Sequence, residues 1–219
     1  LDGQIAARTR PRAGLMLAPM TGGVIVTSFI GGRLVSRTGQ YKIFPVVGLA
    51  AATLAFLAVM WAALAGAGIF VLEVSLIILG SGFGLVMPNL MVAIQNAVSS
   101  RELGTATATS TFFRSLGGTF GVAMSGAIMT AQLQGLQAET LIKAGIGTRA
   151  LAELGIQQIA QLPQPQRELV IAVYRHAIGS TFLVGSVITA MAFALVLFLP
   201  EHPLKSGHPG KPEDVRREE

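Results

Sequence analysis

Charged side chains are absent from five long stretches, Ala13–Gly32, Ile43–Leu72, Val74–Ser100, Ser115–Ala138 and Ala177–Pro200, and gather in the segments between them. A bilayer's hydrocarbon core, about 30 Å thick, takes about 20 apolar residues as a helix, the conformation that satisfies its own backbone groups internally. Each stretch therefore predicts one spanning helix, over residues 13–33, 44–65, 69–95, 104–131 and 171–199. The connectors follow the same logic. A short basic loop joins the first two spans at residues 34–43, and the small-residue turn Gly66-Ala67-Gly68 returns the chain into the third. A polar connector covers 96–103, a long polar loop 132–170 holds a Pro163/Pro165 break and a candidate amphipathic helix near Ala150–Gln161, and the proline-rich charged tail 200–219 is expected to be disordered.

Composition closes off the soluble alternative. Hydrophobic residues make up 52% and charged residues 12% of the 219, with a mean hydropathy of +0.63. So little polar surface cannot coat five buried helices of a water-soluble protein. The expectation is an all-α integral membrane protein of the cell membrane, multi-pass, and of the inner membrane if the cell is Gram-negative. The net charge of +5 comes from basic residues scattered among loops, not from a stripe, so no nucleic-acid partner is expected. The absence of cysteine leaves no disulfide or thiolate site. The chain opens on Leu1, and residues 1–12 show no signal-peptide pattern, so the sequence reads as a fragment with an extracytoplasmic segment first.

Orientation rests on the positive-inside rule. Placing the 34–43 loop in the cytoplasm puts nine of the 16 Lys and Arg on that side, namely Arg33, Arg37, Lys42, Arg101, Arg114, Lys205, Lys211, Arg216 and Arg217. The connector 96–103 and the tail 200–219 are then cytoplasmic, and the loop 132–170 is extracytoplasmic.

Inside the spans, small residues recur every fourth position, as Gly23, Thr27 and Gly31 in the first and Gly117, Gly121 and Ser125 in the fourth. Such faces let helices approach closely, the main source of association in lipid; the general frequency of glycine in membrane helices accounts equally well for any single pair. Gly80, Gly82 and Gly84 followed by Pro88 predict a bend or partial unwinding of the third span, either at a substrate site or as a passive kink. Glu73, near the outer end of that span, is either a proton or cation site or, as preferred here, a carboxylate reaching interfacial water. Arg114 lies about three turns inside the fourth span, where desolvation is costly without compensation. It is a candidate gate contact or fixed charge in the translocation path. Thr107, Ser110 and Thr111, with Asn89 and Gln95 on the third span, offer nearby hydrogen bonds or act only to hold helices together. Met87, Met91, Phe112 and Phe113 are candidate apolar lining, and could equally face lipid.

No catalytic constellation emerges. The three histidines, His176 at a span end and His202 and His208 in the tail, lack metal-ligand company, and Gly80/Gly82 lacks the strand–helix setting of a nucleotide fingerprint. Neither an enzyme nor a cofactor or metal is expected. A channel or structural membrane subunit is the rival of different class, predicting passive flux and symmetric oligomers.

Three segments carry a resemblance: Gly14-Leu15-Met16-Leu17-Ala18-Pro19-Met20, the loop from Gly32 to Lys42, and Arg114-Ser115-Leu116-Gly117-Gly118-Thr119-Phe120-Gly121. In order and spacing they resemble the fourteen-span EmrB/QacA-type drug:proton antiporters of the major facilitator superfamily. The resemblance implies that the five helices are the last five of that family's C-terminal six-helix bundle. Gly32, Arg37, Gly39 and Lys42 then fit the weaker second copy of a cytoplasmic signature loop. Ser36 stands where the signature often has an acid; serine can cap a helix start but cannot form the ion pair that locks a closed bundle. The implied function is proton-coupled export of amphipathic drugs, cationic or hydrophobic, and hence drug resistance. The implied partners are the lipid bilayer, a small-molecule substrate with protons, and a missing N-terminal half without which the chain does not transport.

Overall fold

The computed structural model describes residues 2–134 and 163–199. They form five helices: α1 (Asp2–Thr38), α2 (Ile43–Ala65), α3 (Ile69–Ala97), α4 (Leu103–Gln134) and α5 (Gln164–Leu197). No strand occurs among the described residues. The centre of the 132–170 loop, with its candidate amphipathic helix, and the tail 200–219 lie outside them.

Four of the helices, within α1, α2, α3 and α5, are long and apolar enough to cross a membrane. α4 is long, at 32 residues, but Arg114 and its many Gly, Ser and Thr residues dilute its apolar content. The fold is that of an all-α membrane protein.

The helices outrun the expected spans. α1 contains the segment from Asp2 onward and continues to Thr38, which shrinks the basic loop to Gly39–Lys42. Local hydrogen bonds carry that extra turn: Ser36 Oγ donates to the Arg33 carbonyl at 2.8 Å, and Thr38 Oγ1 to that of Leu34 at 2.9 Å. Ser36 thus belongs to the last turn of a helix and caps no helix start. Gly39 ends α1 at φ 73°, where its N–H donates to the Val35 carbonyl at 2.9 Å, and Gly66 ends α2 at φ 64°. Both positions favour glycine because a Cβ is strained in the left-handed region. At the other long connector, Pro163 is the N-cap of α5 and Pro165 sits in its first turn, where a missing N–H leaves no helical bond unmade. The expected proline break is therefore the start of a helix.

α3 lies at the centre, packed along α1 on one side and α2 on the other; α2 in turn packs on α5. The sequence makes this possible through glycine. A Cβ on Gly80 would collide with the Met20 backbone, and one on Gly84 with Val24 and Thr27, so both face α1. Gly82, two residues on and hence on the opposite flank of the helix, would put its Cβ 2.6 Å from the Gly48 carbonyl of α2. Between α2 and α5, Gly179 seats Leu64 and Gly185 seats Phe56. Buried Ala52, Ala55 and Leu79 form the heart of the bundle, flanked by Met20, Phe56, Leu76 and Phe83. Phe29, Trp61 and Phe70 project outward and exposed, as side chains meeting lipid do.

The third span neither unwinds nor breaks: α3 is helical through Pro88. Proline lacks an N–H, so the carbonyl four residues earlier, that of Gly84, loses its helical donor. Ser28 of α1 supplies one, its Oγ donating to the Gly84 carbonyl at 2.9 Å. One turn away, Thr27 Oγ1 reaches the Ser81 carbonyl at 3.0 Å while also bonding its own helix at Gly23. The proline's cost is met by a neighbouring helix, so the backbone has no reason to open.

Candidate functional site

A groove of about 660 Å³ lies between α3 and α4. One wall is Met87, Leu90, Met91 and Ile94, which fall on one face of α3 at helical spacing. The other wall is Ala106, Thr109, Ser110, Phe113 and Arg114 of α4. Most of the surface is apolar; among the described residues Thr109, Ser110 and the Arg114 guanidinium are its polar groups. Arg114 is exposed to the groove and has no acidic partner among the described residues. A second cavity, about 460 Å³, sits deeper between α2, α3, α4 and α5. Its aromatic wall is Phe56, with Phe83 edge-on at 6.4 Å between ring centroids and Phe182 tilted at 5.8 Å.

The groove takes only some of the residues expected in a substrate path. Arg114, Ser110, Met87, Met91 and Phe113 meet there. Asn89 does not: it is 1% exposed on the α1-facing side of α3, with its Nδ2 donating to the Leu85 carbonyl at 2.6 Å and lying beside Gly31. Helix periodicity explains the separation, since residue 89 is turned about 200° from both 87 and 91. There it packs against α1 and lies outside the groove lining. Gln95 is exposed near the end of α3, and Thr111, also exposed, donates to the Thr107 carbonyl at 2.9 Å within α4. Phe112 points away, 61% exposed, touching Phe113 at 5.6 Å between centroids. Glu73 is half-buried in the second turn of α3, away from this groove. Thr109 is a lining residue that sequence reasoning passed over; it precedes Ser110 and shares the inward face with Ala106 and Phe113, three and four positions away.

The signature-loop residues are spread out. Gly32 and Arg37 are exposed, Gly39 makes the left-handed turn, and Lys42 reaches the end of α5, its Nζ donating to the Leu197 carbonyl at 2.9 Å. That carbonyl belongs to the last turn of α5, whose unpaired acceptors attract a cation. The bond holds the α1–α2 loop and the end of α5 at one end of the bundle. Behind it Tyr41, 2% exposed, packs with Val35 and Ala93 against Phe44 and Val92. At the opposite end the Arg175 guanidinium lies against the Gly66 turn. The connector before α4 is tied by Glu102, whose carboxylate accepts from Ser99 Oγ at 2.8 Å and from the Ser99 N–H at 3.4 Å. These bonds, the hydroxyl first, hold its pKa below the usual carboxylate value.

Long apolar helices, close glycine seams and a lipid-facing exterior around an apolar groove with a single charge among the described residues define a polytopic membrane protein with room for a small molecule. Comparison with known proteins gives the family. The model of the Major Facilitator Superfamily matches residues 10–122, and an uncharacterised MFS-type transporter of Mycobacterium tuberculosis, Rv1877, is 34% identical over 210 residues, covering 94% of this chain and 30% of that protein. The chain belongs to the major facilitator superfamily, a family of membrane transporters. The multidrug transporter protein MdtP of Bacillus subtilis is 39% identical over 130 residues, covering 59% of this chain and 24% of its own length. The MFS-type efflux transporter pyiT of Pyricularia grisea is 29% identical over 212 residues, covering 93% of this chain and 34% of its own length. The chain thus spans a third or less of most of these curated relatives. No solved structure matches.

Proposed function

We propose that this chain is the C-terminal part of a proton-coupled secondary transporter, of the fourteen-span EmrB/QacA type, that exports amphipathic drugs or other small molecules by alternating access. The observation carrying this reading is the α3–α4 groove, apolar on both walls with a few polar groups, together with relatives named as multidrug and efflux transporters. Apolar contact is non-directional and methionine is adaptable, so walls such as Met87, Met91 and Phe113 accept varied bodies. α4 is the fifth spanning helix in this reading, since its length of 32 residues, about 48 Å, exceeds what the bilayer needs. Gly39–Lys42, the connector before α4 and the end of α5 are cytoplasmic. The bond from Lys42 to Leu197 supports two of those three sharing one side. Alternating access needs a second bundle, so the chain alone is inactive.

The test is efflux of ethidium and of uncharged and anionic amphipathic dyes from energised cells expressing the full-length reading frame that contains this chain, with a protonophore control. Efflux of at least one of these dyes that collapses with the protonophore is the expected result. Efflux indifferent to the protonophore rejects proton coupling. An abundant full-length protein that exports neither ethidium nor other amphipathic dyes rejects the drug-exporter reading.

A further inference from the structure

The α3–α4 groove carries one charge and nothing among the described residues to balance it. Arg114 faces the cavity with no carboxylate of the described residues in reach, and Glu102, the acid that precedes α4, is engaged by Ser99 in the connector. If α4 is centred on a hydrocarbon core of about 30 Å, Arg114, eleven residues after Leu103, lies about 7 Å inside the core's edge. Lipid phosphates lie outside that edge. A guanidinium at such depth is costly unless an anion or water joins it, and in low dielectric its attraction for an anion is large while its repulsion of a cation is equally so. Beside it, Met87, Met91 and Phe113 offer a deformable apolar wall, and Ser110 and Thr109 offer hydroxyls on the Arg114 side. The volume of about 660 Å³ is that of a site for a drug-sized molecule.

We infer that this groove binds a small amphipathic organic anion, its carboxylate or sulfonate paired with Arg114 and its apolar body against Met87, Met91 and Phe113. The inference rests on the exporter reading and narrows it. Arg114 selects against the cationic amphiphiles that the family resemblance suggests, because no acid among the described residues of the groove offsets its charge. Neutral molecules enter without that penalty but leave the guanidinium unpaired, so they bind less tightly than an anion of the same shape.

The experiment is fluorescence titration of the purified full-length protein in phosphatidylcholine vesicles with dansylglycine and with its uncharged isostere dansylglycinamide, while ethidium transport is followed separately in the same vesicles. The anion should bind at least about tenfold more tightly than the amide, the scale of one charge-assisted hydrogen bond. Arg114→Gln should erase that ratio by weakening the anion alone, and Arg114→Lys should keep most of it. Equal affinities in the wild type, a ratio that survives Arg114→Gln, or parallel weakening of both ligands overturns the inference, the last marking Arg114 as a structural residue. Displacement of dansylglycine by adding phosphatidylglycerol to the vesicles assigns the charge to a lipid headgroup and also overturns it. If Arg114→Gln does not yield monodisperse protein, the wild-type ratio and Arg114→Lys decide. Ethidium transport without preferential anion binding leaves the exporter reading standing and the inference fallen; anion selectivity without transport of any dye does the reverse.

Discussion

Two helices of this bundle carry the same four-residue stripe of small side chains and use it in opposite ways. On α1, Gly23, Thr27 and Gly31 are closed against α3: a Cβ on Gly23 would stand 2.8 Å from the Ile77 carbonyl, Thr27 bonds the Ser81 backbone, and Gly31 abuts Leu85 and Asn89. On α4, Gly117 and Gly121 have open space where a Cβ would go, and α4 leans only lightly on α3 and α5. A pattern of small residues therefore states that a helix can be approached, and the partner must be learned from geometry. The closed seam also has what the open one lacks, a set of backbone carbonyls facing hydroxyls across the contact. By contrast, Thr119 and Ser125 of α4 donate back to their own helix, at Ser115 and Gly121.

The largest effect should come from filling the closed seam. Gly84→Leu places a side chain into the backbone of α1 and should cost more than about 3 kcal/mol, beyond ordinary overpacking because backbone must move. Gly117→Leu should cost about 0.5 kcal/mol or less on the same thermal-unfolding measurement in detergent. Comparable losses at the two sites would mean that another segment of the full-length protein already covers the α4 stripe, and the contrast would disappear. A smaller effect belongs to Ser28→Ala, about 1 kcal/mol from one interhelical hydrogen bond. That cost should vanish in a Pro88→Ala background, where residue 88 regains its N–H and Gly84 its helical donor. A double-mutant cycle by denaturant titration reads the coupling, and additive costs would show that Ser28 does something other than compensate the proline.

The smallest effect lies on the open side, at the start of α4. The Glu102 pKa is lowered in the folded state, so its contribution to holding the connector is complete above the ordinary carboxylate value and is lost as pH falls through the lowered one. Carbon-13 NMR of the Glu102 carboxyl should titrate below the usual range, and Ser99→Ala should return it toward normal; an unshifted titration in the wild type would remove this tether. The group is exposed, so global stability should barely register it.

Much of this architecture is legible in the sequence because lipid imposes a length and an absence of charge, and both can be counted. Each of the five helices contains most or all of one uncharged stretch and runs past an end of the expected span, and Arg114, Ser110, Met87, Met91 and Phe113, three and four apart on facing helices, line one groove. The misplaced details share a physical cause. A pattern of polar positions leaves Asn89 open to a substrate path or to holding helices together, because azimuth around α3 decides what a residue touches and the pattern alone does not fix which azimuth faces α1. Gly80, Gly82, Gly84 and Pro88 predict a bend or partial unwinding of α3, and the helix stays wound because the remedy, a serine sixty positions earlier on another helix, is a tertiary fact. The helix ends at Thr38 and Gln164 depend on hydroxyls and prolines outside the apolar stretches, where hydrophobicity carries no information.

The bond between Ser28 and the carbonyl released by Pro88 acts as an alignment pin. Sliding α1 along α3 by a single residue would leave that oxygen without a donor in a medium that supplies none, and would drive the Gly80 and Gly84 notches off the backbone they receive. The two helices are keyed to one register, whereas α4 is held by no such key among the described residues.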